Sequence, residues 1–384
     1  MVVTGAAARG PRARVEAFVA ALRTEIELRA DDLDRRWGLP GSAGRPPLGS
    51  VYFGGGTPSL LPAAVVRDLI GRVAERFGLE AGAEVTLEAN PGPRERGDSA
   101  AWRAAGVSRM SFGAQSLSSA ELRRLGRRHR PADVANAVGE ARDAGIASIS
   151  LDLLYDIPGQ SVDAWQTTLD GALELGPDHL SLYALTLDDP DAEGITGPLG
   201  DHLPTTRGAR RWRAAASAAQ DEDRAAAMYQ GAVDLLDAAG WRGYEISNWA
   251  RPGHECRHNL VYWERRPYEA VGPGAHAFDG LARRWNAARL DGYIAALTPA
   301  NGAPPGLPPG SVEVLEPMAA TSEAVILGLR TDRGLPSDAG RRPPLDRELD
   351  WAVAADLVAL TNDDRIVLTT RGRLLSNELF ARLV

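Results

Sequence analysis

From residue 50 onward, short apolar or alternating runs take turns with longer amphipathic ones. "SVYFGGG" (50–56), "AEVTLEAN" (83–90), "SRMSFGAQS" (108–116), "ASISLDLLYDIPG" (147–159) and "DHLSLYALTL" (178–187) have the length and alternation of strands. Between them, "LLPAAVVRDLIGRVAERFG" and "PADVANAVGEARDAG" repeat apolar residues at helical spacing, and each closes on a glycine suited to a helix C-cap, Gly78 and Gly145. Strand and helix alternating in this way predict right-handed β/α units on a parallel sheet. Five such strands fall between Val51 and Leu187. Eight do not, so the fold class expected is α/β, a partial (β/α) barrel.

The flanks read differently. An Ala/Arg/Glu-rich amphipathic helix is expected over about Arg14–Arg36, followed by a Gly/Pro loop, "GLPGSAGRPPLGS". The polar stretch Asp188–Ala219 reads as a surface excursion, and "DRAAAMYQGAVDLLDAAG" as a helix behind it. Then comes "GYEISNWARPGHECRHNLVYWERRPYEAVGPGAHAF", dense in aromatics, histidine and glycine. The proline-rich "TPANGAPPGLPPGS" marks a boundary before a small C-terminal, α-rich module, whose short strand and closing helix suit a winged-helix-like arrangement. The expected divisions are 1–190, 191–300 and 301–384.

Composition narrows the chemistry. The chain has 384 residues, 44% hydrophobic and 24% charged, ordinary values for a globular protein with a sizeable core. No apolar run reaches the roughly 18–20 residues that span a bilayer, and the N-terminus lacks a signal-peptide core, so a cytoplasmic location is expected. The net charge of -8 speaks against a nucleic-acid duplex as partner. There is no lysine, which removes Schiff-base and P-loop lysine chemistry. The single cysteine, Cys256, excludes an intrachain disulfide and any all-cysteine metal site.

In parallel β/α folds the ligand sits at the carboxyl ends of the strands. Here those ends carry Gly54-Gly55-Gly56-Thr57, then Glu88 and Asn90, then Gln115 and Ser116, then Asp152 and Tyr155. Each alone is ordinary: a tight turn, a cap, an ion-pair partner. On one rim together, acceptors beside bare backbone suit a ligand with an ammonium, hydroxyls and a carboxylate, such as an amino acid joined to a nucleoside.

With these motifs in view the sequence resembles the radical S-adenosylmethionine superfamily, and within it the branch of oxygen-independent coproporphyrinogen oxidases. "GGGTPSLL", "LEANP", "VSRMSFGAQS", "GRRHRP", "DLLYDIPGQS", "YEISNWARPGHECRHNLVYW" and "GPGAH" carry the resemblance in fixed order. It implies that Gly55, Gly56 and Thr57 lie against the methionine part of S-adenosylmethionine. Glu88, Gln115, Arg127 and Asp152 match the polar contacts, with Asp152 on a ribose hydroxyl, and Leu154 flanks the adenine. "HNLVYW" (258–263) fits the H-N-x-x-Y-W pattern of the branch's haem chaperones better than that of its oxidases. His258 is then the haem-ligand candidate and Cys256 the alternative, and the opposing reading is that His258 and Asn259 brace a loop under the barrel. The partners implied are haem or porphyrin, acceptor haemoproteins and a second copy of the chain.

One part of the pattern is missing. The family holds a [4Fe–4S] cluster on C-x3-C-x2-C, after the first barrel strand and before the helix that contains "RVEAFVAALRTEI". In this chain "MVVTG" stands there instead. Two readings stay open: a truncation that removes the first strand and the cluster loop, or a homologue that has abandoned redox chemistry. The intact cofactor positions favour the first, since unused buried carboxylates are costly. On that reading "SVYFGGG" would be an exposed parallel edge unless the N-terminal segment covers it, and the chain would be less stable than one extended upstream. The leading expectation is a haem chaperone. Its rivals are oxidative decarboxylation of coproporphyrinogen III and a barrel that binds a nucleoside-like ligand without redox chemistry.

Overall fold

The structure, a computed structural model, describes residues 1–5, 12–187, 206–299 and 302–384. In chain order the first half runs β1 (Val2–Gly5), α1 (Arg12–Trp37), β2 (Leu48–Gly56), α2 (Ala63–Phe77), β3 (Leu79–Ala89), α3 (Ser99–Ala105), β4 (Arg109–Gln115), α4 (Ser119–Arg124), α5 (Pro131–Asp143), β5 (Ser148–Tyr155), α6 (Val162–Glu174) and β6 (His179–Ala184). It continues through α7 (Arg207–Ser217), α8 (Glu222–Ala238), β7 (Arg242–Gly243), β8 (Asn248–Ala250), α9 (Arg257–Trp263), β9 (Ala270–Val271), β10 (His276–Phe278), β11 (Ala282–Asn286), α10 (Leu290–Leu297) and β12 (Gly310–Val314). The C-terminal part holds α11 (Pro317–Leu329), β13 (Leu335–Pro336), α12 (Leu349–Ala354), β14 (Val358–Leu360), β15 (Arg365–Leu368), α13 (Thr370–Leu374) and α14 (Ser376–Phe380).

Among the described residues the main sheet has nine strands, ordered β7-β8-β6-β5-β4-β3-β2-β1-β9. Seven are parallel, from β9 to β6, and β8 and β7 extend the β6 edge antiparallel. The expected partial barrel is therefore present. The open edge expected at β2 is not, because Val2–Gly5 pairs with it and with β9. Residues 2–5 thus occupy a strand position rather than a loop. Of the excursion expected over Asp188–Ala219, residues 188–205 lie outside the described residues. The rest contains α7, whose side-chain cap from Thr206 onto the Ala209 amide starts a helix in a segment too polar to announce one.

The strand pattern has a simple physical consequence. Val51 and Phe53, Leu87, Met110 and Phe112, Ile149, Leu151 and Leu153, and Leu180 and Leu182 are buried in one hydrophobic cluster with the helices' Leu22, Ile26, Leu69, Val73, Val134 and Trp165. Each fully buried side chain of this kind is worth about 1.5–3 kcal/mol. The alternate positions face the other way and are polar: Ser50 and Tyr52, Glu84, Thr86 and Glu88, Arg109 and Ser111, Ser150 and Asp152, His179 and Ser181. An ordinary β/α barrel fills its centre with branched apolar side chains. This one lines it with hydrogen-bonding groups. The small C-terminal sheet β13-β15-β14 and its helices bury a separate cluster around Leu329, Leu345, Ile366 and Leu379, the helical module with a short sheet that was expected.

Candidate functional site

The carboxyl end of β2 shows why glycines stand there. A Cβ on Gly54 would lie 2.6 Å from the Tyr52 ring and 3.0 Å from Glu88 Oε1, so any larger residue would break up that pair. Gly55 and Gly56 have φ of 74° and 81°, a conformation that glycine adopts without strain. Tyr52 donates its hydroxyl to Glu88 Oε1 at 2.7 Å, and the Gly55 amide donates to Oε2 at 3.0 Å. Thr57 precedes a short 3-10 turn, Pro58–Leu60, but its hydroxyl does not cap it. It meets Asn90 Nδ2 at 3.4 Å instead, and Asn90 Oδ1 accepts from Arg127 at 3.4 Å. Asn90 is thus a rim residue that couples Thr57 to Arg127. Gln115 closes β4 with φ of 66°, its amide folded back over Gly113.

Behind the rim lies a cavity of about 300 Å³, lined by Tyr52, Glu88, Arg109, Ser111, Asp152, His179, Ser181, Tyr183, Asn248, Cys256, His258, Asn259 and Tyr262. It brings together four of the residues expected from sequence, Glu88, Asp152, Cys256 and His258. Gly55, Gly56, Thr57, Gln115, Arg127 and Leu154 stand outside its lining, and Leu154 is partly exposed beside Tyr183 on β6. Asp152 accepts from Ser111 Oγ at 3.0 Å. Burial raises the pKa of both Asp152 and Glu88, with the nearby Asp152 charge adding to the rise at Glu88.

The floor is built on α9, where Glu84 acts as the helix cap. Its carboxylate accepts the backbone amides of Arg257 at 3.1 Å and His258 at 3.2 Å, and the Cys256 thiol approaches it at 3.5 Å. An acid at a helix N-terminus is worth about 0.3–1 kcal/mol or more when partly buried. His258, 2% exposed, stacks on Tyr52 with ring centroids 5.1 Å apart. Its Nδ1 pairs with Ser50 Oγ at 3.0 Å and its Nε2 with Tyr262 Oη at 2.9 Å. Asn259 donates to Tyr244 Oη at 3.3 Å and Glu245 Oε1 at 3.4 Å. In this geometry both residues brace the floor. Ser50, Glu84, Arg109, His179 and Tyr244 are site residues that a motif-based reading passes over. The only sequence signal of the first four is that they fall on the polar phase of the strands, and Tyr244 lies between β7 and β8.

The comparisons with known proteins follow from this geometry. Residues 40–172 match the family described as Radical SAM superfamily. The Heme chaperone HemW of Mycobacterium tuberculosis is 38% identical over 367 residues, covering 96% of this chain and 86% of that protein. The chain belongs to the HemW family of the radical SAM superfamily. The mouse protein named Radical S-adenosyl methionine domain-containing protein 1, mitochondrial, is 39% identical over 299 residues, 74% of this chain and 62% of that one. The Escherichia coli coproporphyrinogen III oxidase HemN, described as a radical SAM enzyme, shares the fold, with a TM-score of 0.75 at 22% identity over 100% of this chain and 89% of its own. No helix among the described residues is long and apolar enough to cross a membrane.

The HemW family membership implies two groups that can be tested against the residues. S-adenosylmethionine fits: two half-buried carboxylates, the hydroxyls of Tyr52, Ser111 and Ser181, and a glycine cradle match its ammonium, hydroxyls and carboxylate. A [4Fe–4S] cluster does not. The sequence offers one cysteine, and among the described residues no group of three or more His, Cys, Asp or Glu side chains converges on a metal position. Nor is Cys256 a thiolate: burial pushes its thiol up to about 12. It should therefore stay unreactive to a disulfide reagent at pH 8 in the folded chain and react fully in guanidinium, as a thiol count in the two conditions will show. Fast reaction of the native protein would place the thiol in a more open setting.

Proposed function

We propose that this HemW-family chain is a cytosolic haem chaperone that binds haem and S-adenosylmethionine and passes haem to acceptor haemoproteins. The observation that carries the reading is 38% identity with the Heme chaperone HemW over 96% of the chain. The position of the H-N-x-x-Y-W helix as the floor of the cavity behind the cofactor rim supports it. Gly55, Gly56 and Thr57 would receive the methionine portion, Glu88, Gln115 and Arg127 its polar groups, Asp152 a ribose hydroxyl and Leu154 the adenine. When bound, S-adenosylmethionine supplies a sulfonium-bearing nucleoside. Glu88 and Asp152, disfavoured as buried anions, are stabilised by an incoming ammonium or hydroxyl donor, which couples ligand binding to their ionisation.

Of the two haem-ligand candidates, His258 is the better donor. Burial holds its imidazole neutral, whereas Cys256 keeps its proton. Ligation through Nε2 requires Tyr262 to give up its hydrogen bond, and Ser50 holds the ring by Nδ1 throughout. Haem titration followed by absorbance tests this. His258→Asn retains a group near Nδ1 and removes Nε2, and it should weaken haem binding by about tenfold or more, roughly 1.4 kcal/mol. Equal binding by this variant removes His258 from the proposal, and no binding by the wild type removes the chaperone function itself. Reading the chain as a coproporphyrinogen oxidase instead rests on fold alone and lacks the cluster ligands such an enzyme uses.

A further inference from the structure

Arg109 opens β4 at the bottom of the cavity and is only 3% exposed. Among the described residues its guanidinium makes no hydrogen bond or ion pair, and its Nε is sealed from solvent without a partner. The other deeply buried arginine, Arg45, bonds Asp34 and the carbonyls of Gly38 and Arg76. Of the other sealed and unpaired groups among the described residues, two stand next to Arg109: Thr86 Oγ1 and Ser148 Oγ. Thr86, Arg109 and Ser148 are register partners on β3, β4 and β5, so the three stand side by side on the inward face. Buried polar groups without partners are rare and costly, and three in one strand row, of which Arg109 lines the cavity, call for an explanation.

The nearest acid on the floor does not supply it. Glu84 is committed to the amides and thiol at the start of α9, and it acts on Arg109 only at a distance. Asp152, one layer higher, is bonded to Ser111. What is absent is a planar anion with two oxygens, the shape that a guanidinium fork recognises bidentately. At about 300 Å³ the cavity is at the small end of ligand pockets: as it stands it has room for the arm of a molecule, and haem on His258 would require it to widen.

We propose that Arg109, flanked by the hydroxyls of Thr86 and Ser148, is the seat of an alkyl carboxylate that enters the barrel beneath the Glu88–Asp152 rim. Naming its source rests on the reading of this cavity as a haem and cofactor site. It is either a propionate arm of the porphyrin or the carboxylate of the aminoacyl cofactor.

Sodium propionate is the probe, with propionamide as the neutral isostere, titrated into the intact chain by ligand-observed NMR. Propionate should bind saturably and propionamide should not. Arg109→Met should weaken propionate by at least about tenfold, and Arg109→Lys, which keeps the charge and loses the fork, by less. Because Arg109 has no bonded partner to orphan, Arg109→Met should unfold at or above the wild-type urea midpoint, whereas loss of a merely structural arginine would lower it. If that variant fails to fold, a wild-type propionate affinity in Arg109→Lys overturns the seat. So does equal propionate binding in Arg109→Met, or none in the wild type.

Competition then separates the sources. Displacement of propionate by haem, but not by haem dimethyl ester, assigns the porphyrin arm, and displacement by S-adenosylmethionine assigns the cofactor. A wild type that binds propionate but no haem keeps the seat and removes the chaperone reading.

Discussion

Glu25→Ala should cost the folded chain about 3–5 kcal/mol, the range for breaking a buried charge network from one side. Glu25 is wholly buried on α1 and gathers four donors from three directions. Tyr293 Oη on α10 donates at 2.7 Å, the Gly272 amide after β9 at 2.8 Å, Asn286 Nδ2 at the end of β11 at 2.8 Å and Arg29 Nε at 3.2 Å. β9 contributes only two residues to the sheet, so this carboxylate, more than the strand ladder, holds that edge of the barrel closed. Removing it leaves the Arg29 charge with Asn286 Oδ1 alone and three neutral donors facing a void. Glu25→Gln, which keeps an acceptor of the same size, should lose less. Urea unfolding of the three proteins measures the difference. A loss below about 1 kcal/mol for alanine would mean that water replaces the carboxylate. Glu16→Ala, on the exposed Arg12–Glu16 pair, is the control expected to change nothing measurable.

The strand positions were legible because alternation leaves a mark on each strand separately. Ser50–Gly56 was read where β2 is Leu48–Gly56, and 108–116 where β4 is Arg109–Gln115. Gly78 and Gly145 follow helix ends at positive φ, as their places in the pattern implied. Of the partners of His258, Tyr262 stands one helical turn on in the motif itself, but Ser50 was not legible. Ser50 lies 208 residues away, and nothing local to "HNLVYW" distinguishes a histidine held by two hydroxyls from one with a free nitrogen. Arg109 opens its strand, at the end opposite the carboxyl ends where β/α ligands usually sit. Its importance comes from what fails to meet it, and only coordinates show that. Val2–Gly5 as a strand is the extreme case: four residues, three of them β-branched, whose pairing partners β2 and β9 lie far along the chain.

Stability should fall steeply as pH drops below about 6.5, because two histidines are buried neutral. His179 pairs with Ser150 Oγ at 2.8 Å and Tyr244 Oη at 2.9 Å, and His258 pairs likewise with Ser50 and Tyr262. Desolvation pushes both well below the ordinary histidine value, with Arg109 and then His254 adding to it at His179 and the chain's amino terminus at His258. Below about pH 6.5 the unfolded chain takes up a proton at each and the folded chain does not. Each site therefore costs about 1.4 kcal/mol per pH unit until the folded ring takes up a proton in turn. Glu88 and Asp152 act in the opposite sense. Raised in the folded state, they hold protons that the unfolded chain has lost, so their cost at neutral pH is relieved as pH falls toward the carboxylate range. Urea midpoints between pH 5 and 8 should thus rise with pH. His179→Gln and His258→Asn should each remove one histidine's share of the slope. A flat profile would mean that both rings protonate inside the fold, and the cavity floor would then be cationic near neutrality, not only at Arg109.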